Sequence, residues 1–590
     1  MKTKRVLKAL AVVLALGLSA SDGSQALGGS ATETPFMSVD EIRPGMKGKG
    51  KTVFQGARIE EFDVEILGIL RDWRPGGDLI LARASGPVLE YTGIAAGMSG
   101  TPIYVDGKLI GALAYSWPFS KEPIAGITPI GEMLEVGRSS RGSGGGKSGE
   151  IRWEDAAASG GTLREIGTPV LVSGFHPAVL DLMRRKLSGF NVLVAQTGGP
   201  SEGMGETLQP GSPLAAQLVS GDGTIAAIGT VTLARGRSIL GFGHGLFLGG
   251  PVEIPMGSAF IHTVLPSISG SFKFGSASEI VGTITSDGPA GVEGEVGRMP
   301  RLIPVDVRVR TEEGERGSFH FDVMRSTLLT PSLVAWSVSS AVLTGGGVRT
   351  ESTVGLKGEI TLVDARGAIR KLTHRDLLVT TSPAVEIARA VAGPLELVLG
   401  NPYEQVNIEQ ITWDVRIDYE QRSAVIEEVY AASQEVEPGD SLWLTVRLRP
   451  FRGEPFTERV AVPIPATCGA AALHIKVCSS PLVRKWEEES TNRRLPPSSF
   501  EQLLTQIESS GFGNRIELVA YAELEGAGIE GRAFPSAPAS FAAVIRNASR
   551  AASLVETPFT PVAAASLDTG YVVRGCKTIT VRVKREGNRE

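Results

Sequence analysis

The stretch G-M-S-G-T-P-I-Y-V-D-G-K-L-I-G-A-L-A-Y, Gly97 to Tyr115, decides how this chain is read. Its second half holds two apolar β segments joined by Asp106-Gly107, a dipeptide suited to the tight turn of a hairpin. Its first half sets Ser99 between Gly97 and Gly100, which tolerate backbone angles that a side chain would forbid. A serine on such a turn can share one substrate atom with nearby amides, as an oxyanion hole requires, and the expected donors are the N–H groups of Gly97 and Ser99.

The bare pattern carries little weight alone, because 73 of 590 residues are glycine and a G-x-S-G arises by chance roughly once in such a chain. A second copy does occur, Gly146-Lys147-Ser148-Gly149, within a polar Gly/Ser run at 139–149 that reads as linker. That run also imitates a phosphate-binding loop, but Arg141 stands where the first glycine is required. Ser99 differs in context: the apolar run Leu79 to Ala82 precedes it and the hairpin follows.

The chain opens with Lys2, Lys4, Arg5 and Lys8 ahead of the apolar run Ala9 to Leu18, which reads as a secretory signal peptide over 1–26, with cleavage expected after Ala20 or Ala26. The mature protein is expected to be exported, periplasmic or extracellular, without an integral membrane segment. A formal net charge of -5 leaves no basic footprint for nucleic acid. Of three cysteines, Cys468 and Cys478 are close enough in sequence to bridge. Neither a metal nor another cofactor is expected, since no histidine neighbours the cysteines.

Short β runs dominate, so the fold class is mainly β with a few helices. The expected segments are a serine half over 27–138, the linker, a histidine half over 150–330, a connecting region over 331–400, a β-sandwich-like domain over 401–490 and a mixed region over 491–590. Helices are expected at Pro177 to Leu187, Pro331 to Leu343 and Phe500 to Glu508.

A serine hydroxyl needs a base, most often histidine. Among six histidines, His244 stands out in S-I-L-G-F-G-H-G-L-F, where a strand ends in glycines that would leave the ring open to a cleft. His262 alternates with apolar neighbours and reads as a half-buried strand residue, and His176 before Pro177 at a helix start reads as a capping or loop residue. For the acid that would orient the imidazole, Asp287, Asp78 and Asp306 all sit near strand ends, with Asp287 preferred and a dyad held by backbone or water as the alternative. Asp106 reads only as a turn former.

The segment Gly97 to Ala112 resembles the serine motif of the SpoIVB-type peptidases, and P-G-S-P-L-A-A-Q-L-V-S-G-D-G-T-I-A-A-I-G-T-V-T, running on to L-G-F-G-H-G, resembles that family's histidine region. The resemblance spans roughly residues 35–325. It implies a chymotrypsin-like β-barrel, no metal, and limited proteolysis of protein or peptide substrates, often including the peptidase itself. Carried over by position, Ser99 is the nucleophile, His244 the base and Gly97 an oxyanion donor. The sporulation members place histidine before serine, whereas here Ser99 comes first; chain order varies among hydrolases, and a permuted barrel preserves the geometry. The alternative is a non-catalytic exported β scaffold that retains the peptidase framework.

Overall fold

The computed structural model describes residues 34–137, 163–199, 207–247, 249–347, 351–490, 497–511, 513–522, 526–529, 532–534, 555–557 and 560–584. The expected signal peptide and the linker at 139–149 lie outside the described residues. The protein is 54% strand and 16% helix, which makes it mainly β as expected.

The first barrel is built from β1 (Lys47–Val53), β2 (Ile59–Arg74), β3 (Gly77–Ser85), β4 (Pro102–Val105), β5 (Lys108–Ser116) and β6 (Ile124–Pro129). They run in the order β4-β1-β2-β3-β6-β5, and the additional β4–β5 pairing closes the ring. That closing pair is the hairpin read from the sequence. Asp106 and Gly107 form its turn with φ of +48° and +75°, the left-handed pair that matches strand twist in two-residue hairpins. Phe62, Ile66, Ile80, Ile103, Leu113 and Ile127 fill the interior. The short strand β7 (Arg164–Glu165) adds to the outer side of β5.

After β8 (Thr168–Ser173) and β9 (Val192–Gln196), a second ring forms from β10 (Pro213–Gly221), β11 (Thr224–Arg235), β12 (Ser238–Gly241), β13 (Gly250–Leu265), β14 (Phe272–Gly288) and β15 (Gly291–Val296). Its order is β10-β13-β14-β15-β12-β11, closed by β10–β11. Two closed β rings in succession, the first carrying the serine motif between β3 and β4 and the second the histidine motif between β12 and β13, give the chymotrypsin-like character expected. Closure also removes sheet edges that would otherwise invite association.

The helix Thr330–Gly346 is buried along nearly its whole length, because its apolar residues are spread around the helix with only small hydroxyl side chains between them, such as Ser337, which donates back to the Leu333 carbonyl, and it lies under the extended second sheet. Further on, strands from Ser423 to Val583 form two sheets over a shared core of Leu444, Val446, Leu448, Leu473, Ile475 and Leu518. In S-L-W-L-T-V-R-L-R-P the buried residues are Leu442, Leu444, Val446 and Leu448, the period-two pattern of a half-buried strand. One sheet of this sandwich draws on Arg515–Ala522, Thr560–Asp568 and Cys576–Val583. The disulfide joins Cys478 to Cys576, not to Cys468, which is free. Cys478 and Cys576 are directly opposed on paired strands, a register that sequence proximity does not disclose.

Candidate active site

Ser99 lies on the turn between the helix Pro87–Thr92 and β4. Gly97 and Gly100 both hold left-handed backbone, at φ of +88° and +91°. Gly100 is also required by space: a Cβ there would stand 2.0 Å from the Thr230 carbonyl oxygen and 2.4 Å from the Phe242 nitrogen. The motif glycines therefore let the serine turn press against β11 and the approach to His244.

Hydrogen bonds fix that contact. The Thr230 N–H donates to the Ser99 carbonyl at 2.8 Å, the Thr230 hydroxyl to the Gly97 carbonyl at 3.0 Å, and the Thr232 hydroxyl to the Gly100 carbonyl at 2.7 Å. From the first barrel, the Leu113 carbonyl accepts from the Gly100 N–H at 2.8 Å.

The same strand, β5, seats the histidine turn. Phe242 and Gly243 have φ of +64° and +69°, and a Cβ on Gly243 would approach the Leu113 carbonyl oxygen to 3.1 Å and the Ala112 and Ala114 Cβ atoms to 3.3 Å. The Thr128 hydroxyl of β6 donates to the Gly243 carbonyl at 2.7 Å. Ser99 and His244 thus come from different barrels and are anchored around one residue, Leu113.

The imidazole is buried, 1% exposed, not open to a cleft as the glycine-flanked strand end suggested. The left-handed residues before it turn the chain inward against β5. Its Nδ1 stands 2.8 Å from the Gly245 carbonyl oxygen. Since a carbonyl only accepts, Nδ1 carries the hydrogen, which leaves Nε2 as the ring nitrogen available to take a proton. That Nε2 and the Ser99 Oγ are both buried and make no hydrogen bond. Thr101 Oγ1 in the same turn and buried atoms elsewhere, such as Thr224 Oγ1 and Trp413 Nε1, also lack a partner; what sets this contact apart is that it holds a hydroxyl and a ring nitrogen, the two groups that a nucleophile and its base require.

Asp287, on β14, is buried but does not hydrogen-bond the imidazole. Its carboxylate accepts from the N–H groups of Leu246, Phe247 and Gly249 at 2.8, 2.7 and 3.3 Å, tying down the loop that follows His244. Burial is the largest influence and holds its carboxyl above the usual range, opposed by those amides and by His244. The carboxylate facing the ring is Glu165, whose Oε2 stands 4.0 Å from Nδ1. Asp78 pairs with Arg71 and Asp306 with His320, so both are engaged elsewhere. His176 caps the helix Pro177–Lys186, and His262 meets the Ser276 hydroxyl from a half-buried strand position.

The expected two-amide oxyanion hole is not assembled in this conformation. The Gly97 N–H is committed to the Gly167 carbonyl at 3.2 Å, because the turn is stitched to the segment between β7 and β8. Ser99 itself is fully buried. Beside it runs a groove of about 840 Å³, whose lining includes Ala96, Trp117, Phe119, Glu165, Gly167 and Ile268. A larger hollow of about 1070 Å³ against Phe247, Arg325 and Tyr403 contains no residue of the serine turn.

Two residues at this contact gave no sequence signal. Glu165 stands in a two-residue strand with no motif around it. Lys273, in F-K-F, is fully buried, and its Nζ donates to the hydroxyls of Thr52 at 2.7 Å and Thr230 at 3.2 Å. Among the described residues no group of three or more His, Cys, Asp or Glu is placed to hold a metal ion, and no helix is long and apolar enough to cross a membrane.

Paired β-barrels that meet at a serine turn and a histidine turn define a serine-peptidase-like β protein. Residues 29–134 match the family model described as SpoIVB peptidase S55, so the family read from the sequence is borne out for that segment. The match ends with the last residue of the helix Ile130–Leu134, and the histidine-bearing barrel lies beyond it. No curated protein and no solved structure matches the chain.

Proposed function

We propose that this chain is an exported serine endopeptidase of the SpoIVB type, with Ser99 as nucleophile and His244 as general base. The observation that carries the reading is the pair of buried, unpartnered atoms, Ser99 Oγ and His244 Nε2, anchored on the same strand. Nε2 takes the hydroxyl proton as Oγ attacks the peptide carbonyl, and returns it to the leaving amine; water then releases the acyl group by the same route in reverse. The Ser99 N–H serves the oxyanion, joined by the Gly97 N–H once it leaves the Gly167 carbonyl. Asp287 acts through the loop it ties, and Glu165 is the carboxylate that faces the imidazolium.

Ser99 is enclosed, so the reactive conformation requires the turn to open toward the groove. That same enclosure favours a second reading, an exported scaffold that keeps the peptidase framework without chemistry. Fluorophosphonate labelling of the mature protein separates the two. Labelling that Ser99→Ala and His244→Ala abolish supports the peptidase, and its absence from folded protein supports the scaffold. N-terminal sequencing of the exported protein tests the signal peptide, with Ser21 or Leu27 expected as the first residue.

A further inference from the structure

Lys273 occupies a place where a lysine is expensive. Its side chain is wholly buried between β1, β11 and the serine turn, and burial is the sole influence on its pKa, which falls to about 7. An ammonium group without an acid partner rarely survives in such a place unless it serves a function.

Its contacts show what it touches. The Lys273 N–H donates to the Ala96 carbonyl at 2.9 Å, two residues ahead of Met98. The Gly97 position is in contact with its stem: a Cβ on Gly97 would lie 3.2 Å from Lys273 Cβ. At the far end, Nζ donates to the Thr230 hydroxyl oxygen, so that this hydroxyl directs its own hydrogen at the Gly97 carbonyl. The Thr230 N–H meanwhile holds the Ser99 carbonyl. Thr230 therefore grips the carbonyls on both sides of Met98, and Lys273 fixes which way the Thr230 hydroxyl points. Thr52, from the first barrel, holds Nζ from the other side.

We propose that Lys273 is a positioning residue for the serine turn, acting through Thr230 to fix the carbonyls of Gly97 and Ser99 and so the direction of the Ser99 hydroxyl. The role in reaction rests on Ser99 being the nucleophile. The hold on the turn does not.

The test uses the full mature protein and three variants, Lys273→Met, Thr230→Val and Thr230→Ser, with two readouts. Hydrogen exchange of the peptide spanning 95–101 reports the hold on the turn without any chemistry. Fluorophosphonate labelling reports its use. Lys273→Met and Thr230→Val are expected to speed exchange of that peptide and slow labelling, the latter on the order of 10- to 100-fold, the scale of small misplacements of reacting groups. Thr230→Ser keeps the hydroxyl and is expected to restore both, a rescue that simple loss of packing would not give. Unchanged exchange in Lys273→Met and Thr230→Val overturns the proposal, as does faster exchange with labelling at the wild-type rate. If the wild type carries no Ser99-dependent label, the peptidase reading fails, and exchange alone then decides whether Lys273 holds the turn.

Discussion

Replacing Lys273 with methionine should alter how stability depends on pH, by an amount that follows from the burial of one group. In the folded chain the lysine pKa is about 7, against an ordinary value of 10.5. Between those values the unfolded chain binds more protons than the folded one, so this group makes stability rise with pH across the window. Below about 7 and above 10.5 its contribution is flat. The difference between 10.5 and 7, at roughly 1.4 kcal/mol per pH unit, gives about 5 kcal/mol in total. Methionine nearly preserves the stem but carries no proton, so the variant lacks this slope. Losing the hydrogen bonds to Thr52 and Thr230 adds an offset that is the same at each pH. Urea unfolding of both proteins at a series of pH values isolates the effect, because other titrations cancel in the difference. Wild-type stability minus variant stability should grow by roughly 2 to 3 kcal/mol between pH 8 and pH 10. A constant difference would refute the reasoning and show that the amine is not buried as an unpaired base.

Gly100→Ala forces a Cβ to within 2.0 Å of the Thr230 carbonyl oxygen at a φ of +91°, and should destabilise the protein by about 3 kcal/mol or more in urea unfolding. Asp287→Ala strips the acceptor from three N–H groups after His244 and should cost about 2 kcal/mol or more in the same assay, with slower fluorophosphonate labelling. Glu165→Gln should slow labelling less than His244→Ala does, since it removes charge near Nδ1 but leaves the Gly245 carbonyl in place; an equal loss would make Glu165 indispensable. The disulfide closes a separation of 98 residues, so replacing Cys478 and Cys576 by serine should weaken the C-terminal sandwich by about 4 to 5 kcal/mol. Thiol titration of the unfolded protein should find one free cysteine before reduction, Cys468, and three after it.

The sequence by itself determined much of the local structure, because its signals act over a few residues. Asp106-Gly107 set the hairpin, the helical period set Phe500–Glu508, and alternation at Leu442 to Leu448 set a sandwich strand. G-M-S-G and G-F-G-H-G marked two turns that only glycine-rich backbone can make. Tertiary structure decided what those turns meet. Leu113 receives both from a strand of the first barrel, and no local pattern encodes that approach. Asp287 is placed on backbone amides and Glu165 beside the ring, because the carboxylate nearest a side chain depends on how two barrels pack, not on distance along the chain. Cys478 found Cys576 across a strand pair for the same reason. Lys273 shows the limit most clearly: F-K-F alternates as though the lysine faced water, yet the start of β14 crosses the serine turn. There the face that would be outside is covered by the first barrel, and the amine is enclosed with Thr52 and Thr230.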